Sequence, residues 1–192
     1  MLKQVKQFEN VEVVGLVTSF IEGADRVAMH AVRRSLVDRQ ASAVVLPLYQ
    51  VMLPWLCSNE EYEMRMRQLI DQAVSMSVTH MAFGDLFLEE IRDYRVKQLS
   101  GTGIEPLFPI WCGRGKTKSL SAEIVDNGFK AVITCVDPGQ VPEHFLGRQY
   151  DRELLDELPR HVDPCLLYTS PSPRDHSRYL VCRLLLEKRG GG

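Results

Sequence analysis

Apolar residues are concentrated in short runs along this chain, and longer stretches of mixed polar and apolar residues separate them. The runs at 11–19, 44–52, 78–84, 104–111 and 131–136 have the length and composition of buried strands. Most of the stretches between them are long enough for helices of ten or more residues. Strands that alternate with such helices form βαβ units, in which the strands are parallel. We therefore expect an α/β protein built on a parallel sheet.

The helix expected after the second strand has the clearest signals. Ser58 is followed three residues later by Glu61, which is the capping-box pattern of a helix start. Beyond this cap, apolar residues recur at helical spacing, namely Tyr62, Met66, Leu69, Ile70, Ala73 and Val74. The pattern predicts a helix that buries one face.

Charged residues gather where the third strand ends, and ligands of open α/β sheets bind at the carboxyl ends of strands. The strand ends in Gly84-Asp85, and Glu89 and Arg92 follow at spacings of four and three. This spacing places the three charged groups on one helix face at the end of the strand. Such carboxylates hold Mg²⁺ beside a nucleotide phosphate, with the arginine clamping the charge. The alternative is a helix start whose acidic residues complement the helix dipole.

Other strand ends carry weaker candidates. His30 follows the first strand, and Cys135 lies near the end of the last one, where a thiol becomes a nucleophile only beside a basic group. Trp111 ends the fourth strand, and its indole either stacks on a base or fills the core. A structural role is the open alternative for each of these residues.

Composition restricts the class of protein. The formal net charge of −2 does not indicate a surface for nucleic acid or for an anionic membrane. No apolar run approaches the ~20 residues of a membrane span, and the first residues lack the apolar core of a signal peptide. The five cysteines form no C-x-x-C pair, which argues against a zinc site or a disulfide framework. We expect a cytoplasmic protein without membrane or direct nucleic-acid partners.

Eight segments, which are spread over nearly all of residues 8–165, have the order and composition of a known family. They are VEVVGLVT at 11–18, RVAMH at 26–30, LPW at 53–55, FGDL at 83–86, GIEPLFPIW at 103–111, AVITCVD at 131–137, FLGR at 145–148 and VDPC at 162–165. In these segments the chain resembles the diphthine–ammonia ligase family, also called the diphthamide synthase ATP-binding family.

The resemblance implies a Rossmann-like parallel sheet of the adenine nucleotide alpha hydrolase type, followed by a smaller C-terminal substrate-binding portion. It also implies a reaction: ATP adenylylates a carboxylate, pyrophosphate leaves, and ammonia displaces AMP to give an amide. The cofactors would be ATP and Mg²⁺. The carboxylate substrate in the family is diphthine on elongation factor 2.

Strand ends and resemblance together predict which residues take part. Catalysis is assigned to Asp85, Glu89, Arg92 and Cys135, and Mg²⁺ binding to Asp85 and Glu89. ATP binding is assigned to Thr18, His30, Gly84, Asp85 and Arg95. Substrate binding is assigned to Trp111 and Thr134.

The resemblance also predicts the domain organisation. Residues 1–103 would be a nucleotide-binding domain that lacks the family's first strand and its Ser-Gly-Gly-x-Asp-Ser phosphate loop. Residues 104–165 would be a partial substrate-binding domain. Residues 166–192 replace the family's Gly-Glu-Asn-Gly-Glu-Phe-His motif, and their beginning resembles translated sequencing-adaptor read-through. We therefore expect an internal fragment with a non-native tail, inactive by itself.

Two other functions stay open. One is a non-catalytic nucleotide-binding or regulatory protein, for which the missing phosphate loop would be a genuine feature. The other is a different ATP-pyrophosphatase, such as a tRNA-modifying enzyme. That enzyme would be expected to carry a basic RNA-binding face or paired cysteines, and residues 1–165 show neither.

Overall fold

The computed structural model describes residues 1–9, 11–28, 32–134, 136, 138–165 and 187–188. These residues form a mixed α/β fold, as the alternating pattern predicts. The chain divides into two compact units, Met1–Gly113 and Arg114–Gly192. His30 and Cys135 lie outside the described residues.

Helices and strands alternate along most of the chain. The α-helices are α1 (Leu2–Val5), α2 (Arg34–Ala43), α3 (Asn59–Ser75), α4 (Glu89–Leu99), α5 (Thr117–Asp126) and α6 (Arg152–Glu157). The strands are β1 (Leu16–Ile21), β2 (Arg26–Val27), β3 (Leu48–Leu53), β4 (His80–Ala82), β5 (Glu105–Leu107), β6 (Phe129–Lys130) and β7 (Glu187–Lys188). Short 3₁₀ helices lie at Arg114–Lys116 and Glu143–Phe145.

The described strands form three small sheets where the sequence predicts a single parallel one. β1 pairs in parallel with β3 from Leu16 to Ile21, and β2 adds an antiparallel edge to the end of β1. β4 and β5 form a separate parallel pair. β6 and β7 form an antiparallel pair in the second unit. Parallel pairing between strands joined through a helix is therefore present in two places within the first unit.

In the described part of the strand predicted at 131–136, which is residues 131–134 and 136, the backbone is irregular. Val132 makes a single antiparallel bridge to Gln149. The N–H of Ile133 donates to the carbonyl of Arg148 at 2.9 Å, and the N–H of Gly147 donates back to Ile133 at 2.8 Å. This segment thus satisfies its backbone groups with the turn-rich segment that follows it. A run of apolar residues favours burial, but a neighbouring strand is needed before the segment forms the hydrogen bonds of a β-sheet.

Helix α3 packs against both parallel pairs of the first unit. Its predicted cap is confirmed, because the hydroxyl of Ser58 accepts the N–H of Glu61 at 3.2 Å. The first part of its apolar face packs against β3 in one hydrophobic cluster. The next part belongs to a second hydrophobic cluster, beside β4 and the start of β5. The first cluster contains Met66, Leu69, Val51 and Leu53, and the second contains Ile70, Leu99 and Ile104.

The first residue of helix α2 contacts the other face of the β1–β3 pair. Its Arg34 guanidinium lies 4.9 Å from the centre of the Phe20 ring and 3.7 Å from the sulfur of Met52. Phe20 is fully buried and is paired in register with Met52. The pair therefore has helix α3 on one face and the Arg34 side chain from the start of α2 on the other.

The second unit has its own core around α5 and α6. The buried residues are Ala131, Ile133, Val141, Phe145, Tyr150 and Leu154. Helix α6 begins at a cap in which Asp151 Oδ1 accepts the N–H of Leu154 at 2.9 Å. Among the described residues of the whole chain, no helix has the length and apolar character needed to cross a bilayer.

Candidate functional site

The segments that follow β4 and β5 are held side by side at the carboxyl ends of these strands. The N–H of Phe83 donates to the carbonyl of Leu107 at 2.8 Å and so continues the pairing beyond β4. Farther along, the N–H of Cys112 donates to the carbonyl of Leu86 at 2.9 Å. Asp85 lies between these two ties. Its position at a pair of parallel strand ends is the one expected for a ligand site in an α/β sheet.

Asp85 does not share the α4 face with Glu89 and Arg92 in the way its spacing suggests. Helix α4 begins only at Glu89, and Leu88 before it has an extended backbone. Asp85 is therefore in the loop. Its partner is Arg95, which lies ten positions farther along the chain and one helical turn beyond Arg92. The spacing of four and three residues did not predict this pair.

Asp85 and Arg95 form an ion pair whose two closest atoms make no hydrogen bond. Asp85 Oδ2 lies 3.7 Å from Arg95 Nε, and each side chain is 21% exposed. Both of these atoms are buried without a hydrogen-bond partner. The guanidinium Nη1 of Arg95 donates to the hydroxyl of Tyr62 on α3 at 3.1 Å. The carboxylate oxygen and the Nε–H thus lie within ion-pair distance of each other but form no hydrogen bond.

Burial raises the pKa of the Asp85 carboxyl, and the nearby Arg95 guanidinium only partly offsets this shift. For Arg95, burial favours the neutral form, but Tyr62 and Asp85 outweigh it and the pKa is raised. The arginine therefore stays charged, whereas the carboxylate of Asp85 is poorly hydrated. A carboxylate in this condition gains from any proton, cation or donor that reaches it.

Aromatic rings line the same region, and sequence reasoning overlooked two of them. Phe83 and Phe108 follow β4 and β5, and their rings stack with centroids 5.7 Å apart. The Arg95 guanidinium lies 5.1 Å from the Phe83 centroid. The Arg92 guanidinium lies 5.3 Å from Phe108 and 5.1 Å from Trp111. The sequence did contain a signal for this stacking, because each phenylalanine directly follows one of two strands that were predicted to be parallel.

The other predicted site residues of the first unit are less closely involved. Glu89 is exposed at the start of α4, and within the described chain no ion pair joins it to Arg92. Gly84 has ordinary room for a Cβ, whose nearest neighbour would be Met1 Sδ at 3.7 Å. Thr18 lies inside β1, opposite Gln50 in the register, rather than at the strand end.

Thr134 belongs to the second unit, where it is exposed. Across the described ranges, no three or more His, Cys, Asp or Glu side chains are grouped as metal ligands. The assignments of Mg²⁺ to Asp85 and Glu89, and of substrate binding to Thr134, stay predictions.

A second polar cluster explains why the segment 162–165 is ordered. Asp163 Oδ2 accepts the hydroxyl of Thr117 at 2.7 Å, and its Oδ1 accepts the N–H of Cys165 at 2.8 Å. The Cys165 sulfur lies 3.1 Å from the hydroxyl of the fully buried Ser121 and donates to the carbonyl of Thr117 at 3.2 Å. The cluster fastens the segment to α5, so its role is structural.

Comparison with protein-family models and with curated proteins finds no match to this chain. The resemblance to the diphthine–ammonia ligase family therefore rests on the quoted segments alone. Any function has to be argued from the geometry around Asp85.

Asp85→Asn is expected to stabilise the protein at pH 7 by about 0.5–2 kcal/mol, the usual range for a stabilising substitution. Because the folded-state pKa of Asp85 is raised, its neutral form favours folding. That contribution is complete below the pKa of an unfolded aspartate, ~3.9. It is lost as the pH rises through the folded-state value. Asparagine keeps a neutral side chain at every pH.

Urea denaturation of both proteins between pH 4 and pH 7 measures this effect. The stability difference should be largest at pH 7 and should shrink towards pH 4. Asp71→Asn on the exposed face of α3 is the control, and it should change stability by no more than about 0.5 kcal/mol. A less stable Asp85→Asn variant at pH 7 would contradict the expectation.

Proposed function

We propose that the carboxyl ends of β4 and β5 handle the nucleotide of an ATP-dependent, amide-forming ligase of the diphthine–ammonia ligase type, on a Rossmann-like framework. The observation that carries this proposal is Asp85 Oδ2, a buried carboxylate oxygen without a hydrogen-bond partner. It lies directly after a parallel strand and beside a charged arginine. Structural carboxylates are normally satisfied, so an unsatisfied one calls for a functional explanation.

The residues fit a nucleotide with its metal. Mg²⁺ usually keeps several waters and takes one or two carboxylates together with phosphate oxygens. Asp85 offers a carboxylate oxygen without a hydrogen bond, and Glu89, exposed at the start of α4, is a second carboxylate of this segment. The Arg95 guanidinium beside Asp85 carries the positive charge that a phosphate group would pair with. When bound, ATP would supply the activation that lets ammonia convert a carboxylate to an amide.

The remaining contributions come from the side chains around this pair. Tyr62 fixes the Arg95 guanidinium from α3, and the Phe83 ring covers it from the strand end. Together they hold the guanidinium beside Asp85 in a largely buried position, and electrostatic attraction is stronger where water is excluded. By the resemblance, the substrate would be a carboxylate such as diphthine on elongation factor 2, ammonia would be the nucleophile, and the cytoplasm would supply ATP.

Mg²⁺ and ATP together are expected to stabilise the protein. At an ATP concentration of 100 times its dissociation constant, the gain is ~2.7 kcal/mol. Thermal denaturation with ATP alone, with Mg²⁺ alone and with both measures it. Asp85→Asn should lose the part of the shift that needs Mg²⁺, and Asp71→Asn should keep it.

Comparison within each variant, with and without nucleotide, removes the effect of the substitution on basal stability. If ATP and Mg²⁺ give no shift, or if Asp85→Asn shifts as much as the original protein, the proposed function is wrong.

A further inference from the structure

We propose that Arg92 is the binding site for an oxyanion, a carboxylate or a phosphate group, and that its planar guanidinium holds two oxygens of that group through paired hydrogen bonds. This inference rests on the proposed function, since it names the residue that receives the anionic group of a substrate there. Arginine and not lysine is the residue suited to this task, because its planar fork matches two oxygens of one anion.

The two rings beside Arg92 form a corner around its guanidinium. Phe108 and Trp111 meet at an interplanar angle of 71°, with centroids 6.0 Å apart. The guanidinium carbon lies 5.3 Å from the first ring and 5.1 Å from the second. Contacts of this kind hold a cation in place without using its N–H donors. The side chain is thus partly ordered before any ligand arrives, which lowers the entropic cost of binding.

The two arginines of α4 differ in what occupies their donors. Arg95 is largely buried, donates to Tyr62 and lies beside Asp85. Arg92 is exposed, and within the described part of the chain it makes no hydrogen bond or ion pair. Glu89, one turn earlier on the same helix, forms no ion pair with it there. The donors of Arg92 therefore remain open to solvent, where an anion can reach them.

Trp111 makes this site measurable by fluorescence. The chain has two tryptophans, and the other, Trp55, is 73% exposed. Trp55→Phe leaves Trp111 as the only reporter. In this background, pyrophosphate and succinate are titrated separately, with sodium chloride keeping the ionic strength constant. We expect a saturable fluorescence change with an apparent Kd on the order of 1 mM, as for a weak single-site contact.

Arg92→Lys should raise that Kd about tenfold, because it keeps the charge and loses the planar fork. Arg67→Lys is the matched control on the exposed face of α3, and it should leave the Kd unchanged. The Arg92 Nε–H signal, assigned by its loss in Arg92→Lys, should also move during the titration in a nitrogen-15 NMR spectrum. The variant serves only for the assignment, and the titration itself is followed in the protein that keeps Arg92.

Each outcome decides the proposal. Preference for pyrophosphate identifies a nucleotide phosphate as the anion, preference for succinate identifies a substrate carboxylate, and binding of both supports the shared chemistry. The proposal is wrong if neither anion gives a saturable change in fluorescence. It is also wrong if Arg67→Lys raises the Kd as much as Arg92→Lys does. If ATP stabilises the protein while Arg92 binds no anion, only this inference fails. Anion binding at Arg92 without stabilisation by ATP would instead refute the proposed function.

Discussion

Arg95→Ala is expected to destabilise the protein by about 3 kcal/mol, because it removes one partner of a mostly buried ion pair. Asp85 would lose the only cation within 4 Å of its carboxylate in the described chain. The Tyr62 hydroxyl would lose the donor that it accepts at 3.1 Å. The ring of Phe83 would lose the guanidinium packed on it. All three losses fall on groups that water reaches poorly.

The expected dependence on Asp85 makes this prediction specific. In an Asp85→Asn background, Arg95→Ala should cost clearly less, because no unpaired carboxylate remains. The cost should also fall at acid pH, where Asp85 is protonated. Urea denaturation of the four proteins of this double-mutant cycle measures the coupling. Arg67→Ala, an exposed arginine of α3, should change stability by no more than about 0.5 kcal/mol. If Arg95→Ala destabilises the protein equally with Asp85 and with Asn at position 85, the interaction between Arg95 and Asp85 does not contribute to stability.

Phe20→Ala is expected to cost about 3–5 kcal/mol, the range for removing a buried aromatic side chain. Phe20 is fully buried on β1, the central strand of its sheet. Its register partners are Met52 on one side and Val27 on the other. The Arg34 guanidinium covers the ring from α2 at 4.9 Å. A cavity here therefore has walls from three strands and a helix, so collapse around it is restricted.

Val17→Ala is the matched control for Phe20→Ala. Val17 is on the same strand and is 46% exposed, so its truncation should cost no more than about 1 kcal/mol. Chemical denaturation followed by circular dichroism compares the two variants. Similar costs for both would show that β1 is not packed as described.

Local signals predicted helices best. The cap at Ser58 and the apolar stripe behind it specify α3 without reference to any other element. Likewise, the residues from Lys118 to Asn127, which Gly128 follows, predict a helix, and one is found at Thr117–Asp126. The residues from Val27 to Ala43 also predict a helix, but α2 begins only at Arg34, because Arg26 and Val27 form antiparallel pairs with the end of β1. A long-range partner here outweighs a helical pattern.

Strand positions were predicted less well for the same reason. The apolar run at 11–19 predicts a buried strand, but β1 occupies Leu16–Ile21 because β3 fixes its register, and Phe20 is its one buried residue. A period of two residues suits several registers almost equally, and only the neighbouring strand selects one. The division into separate small sheets was likewise invisible in the sequence.

The sequence by itself determined that this is an α/β protein, that α3 buries one face, and that charged residues follow the third predicted strand. Only the tertiary structure decided what each charge does. Asp85 pairs with Arg95 rather than Arg92, and Arg95 is held by Tyr62, a residue 33 positions away. Arg92 is left open between two aromatic rings. Burial, and with it the pKa of a carboxylate, depends on packing between residues far apart in the chain, which no local spacing contains.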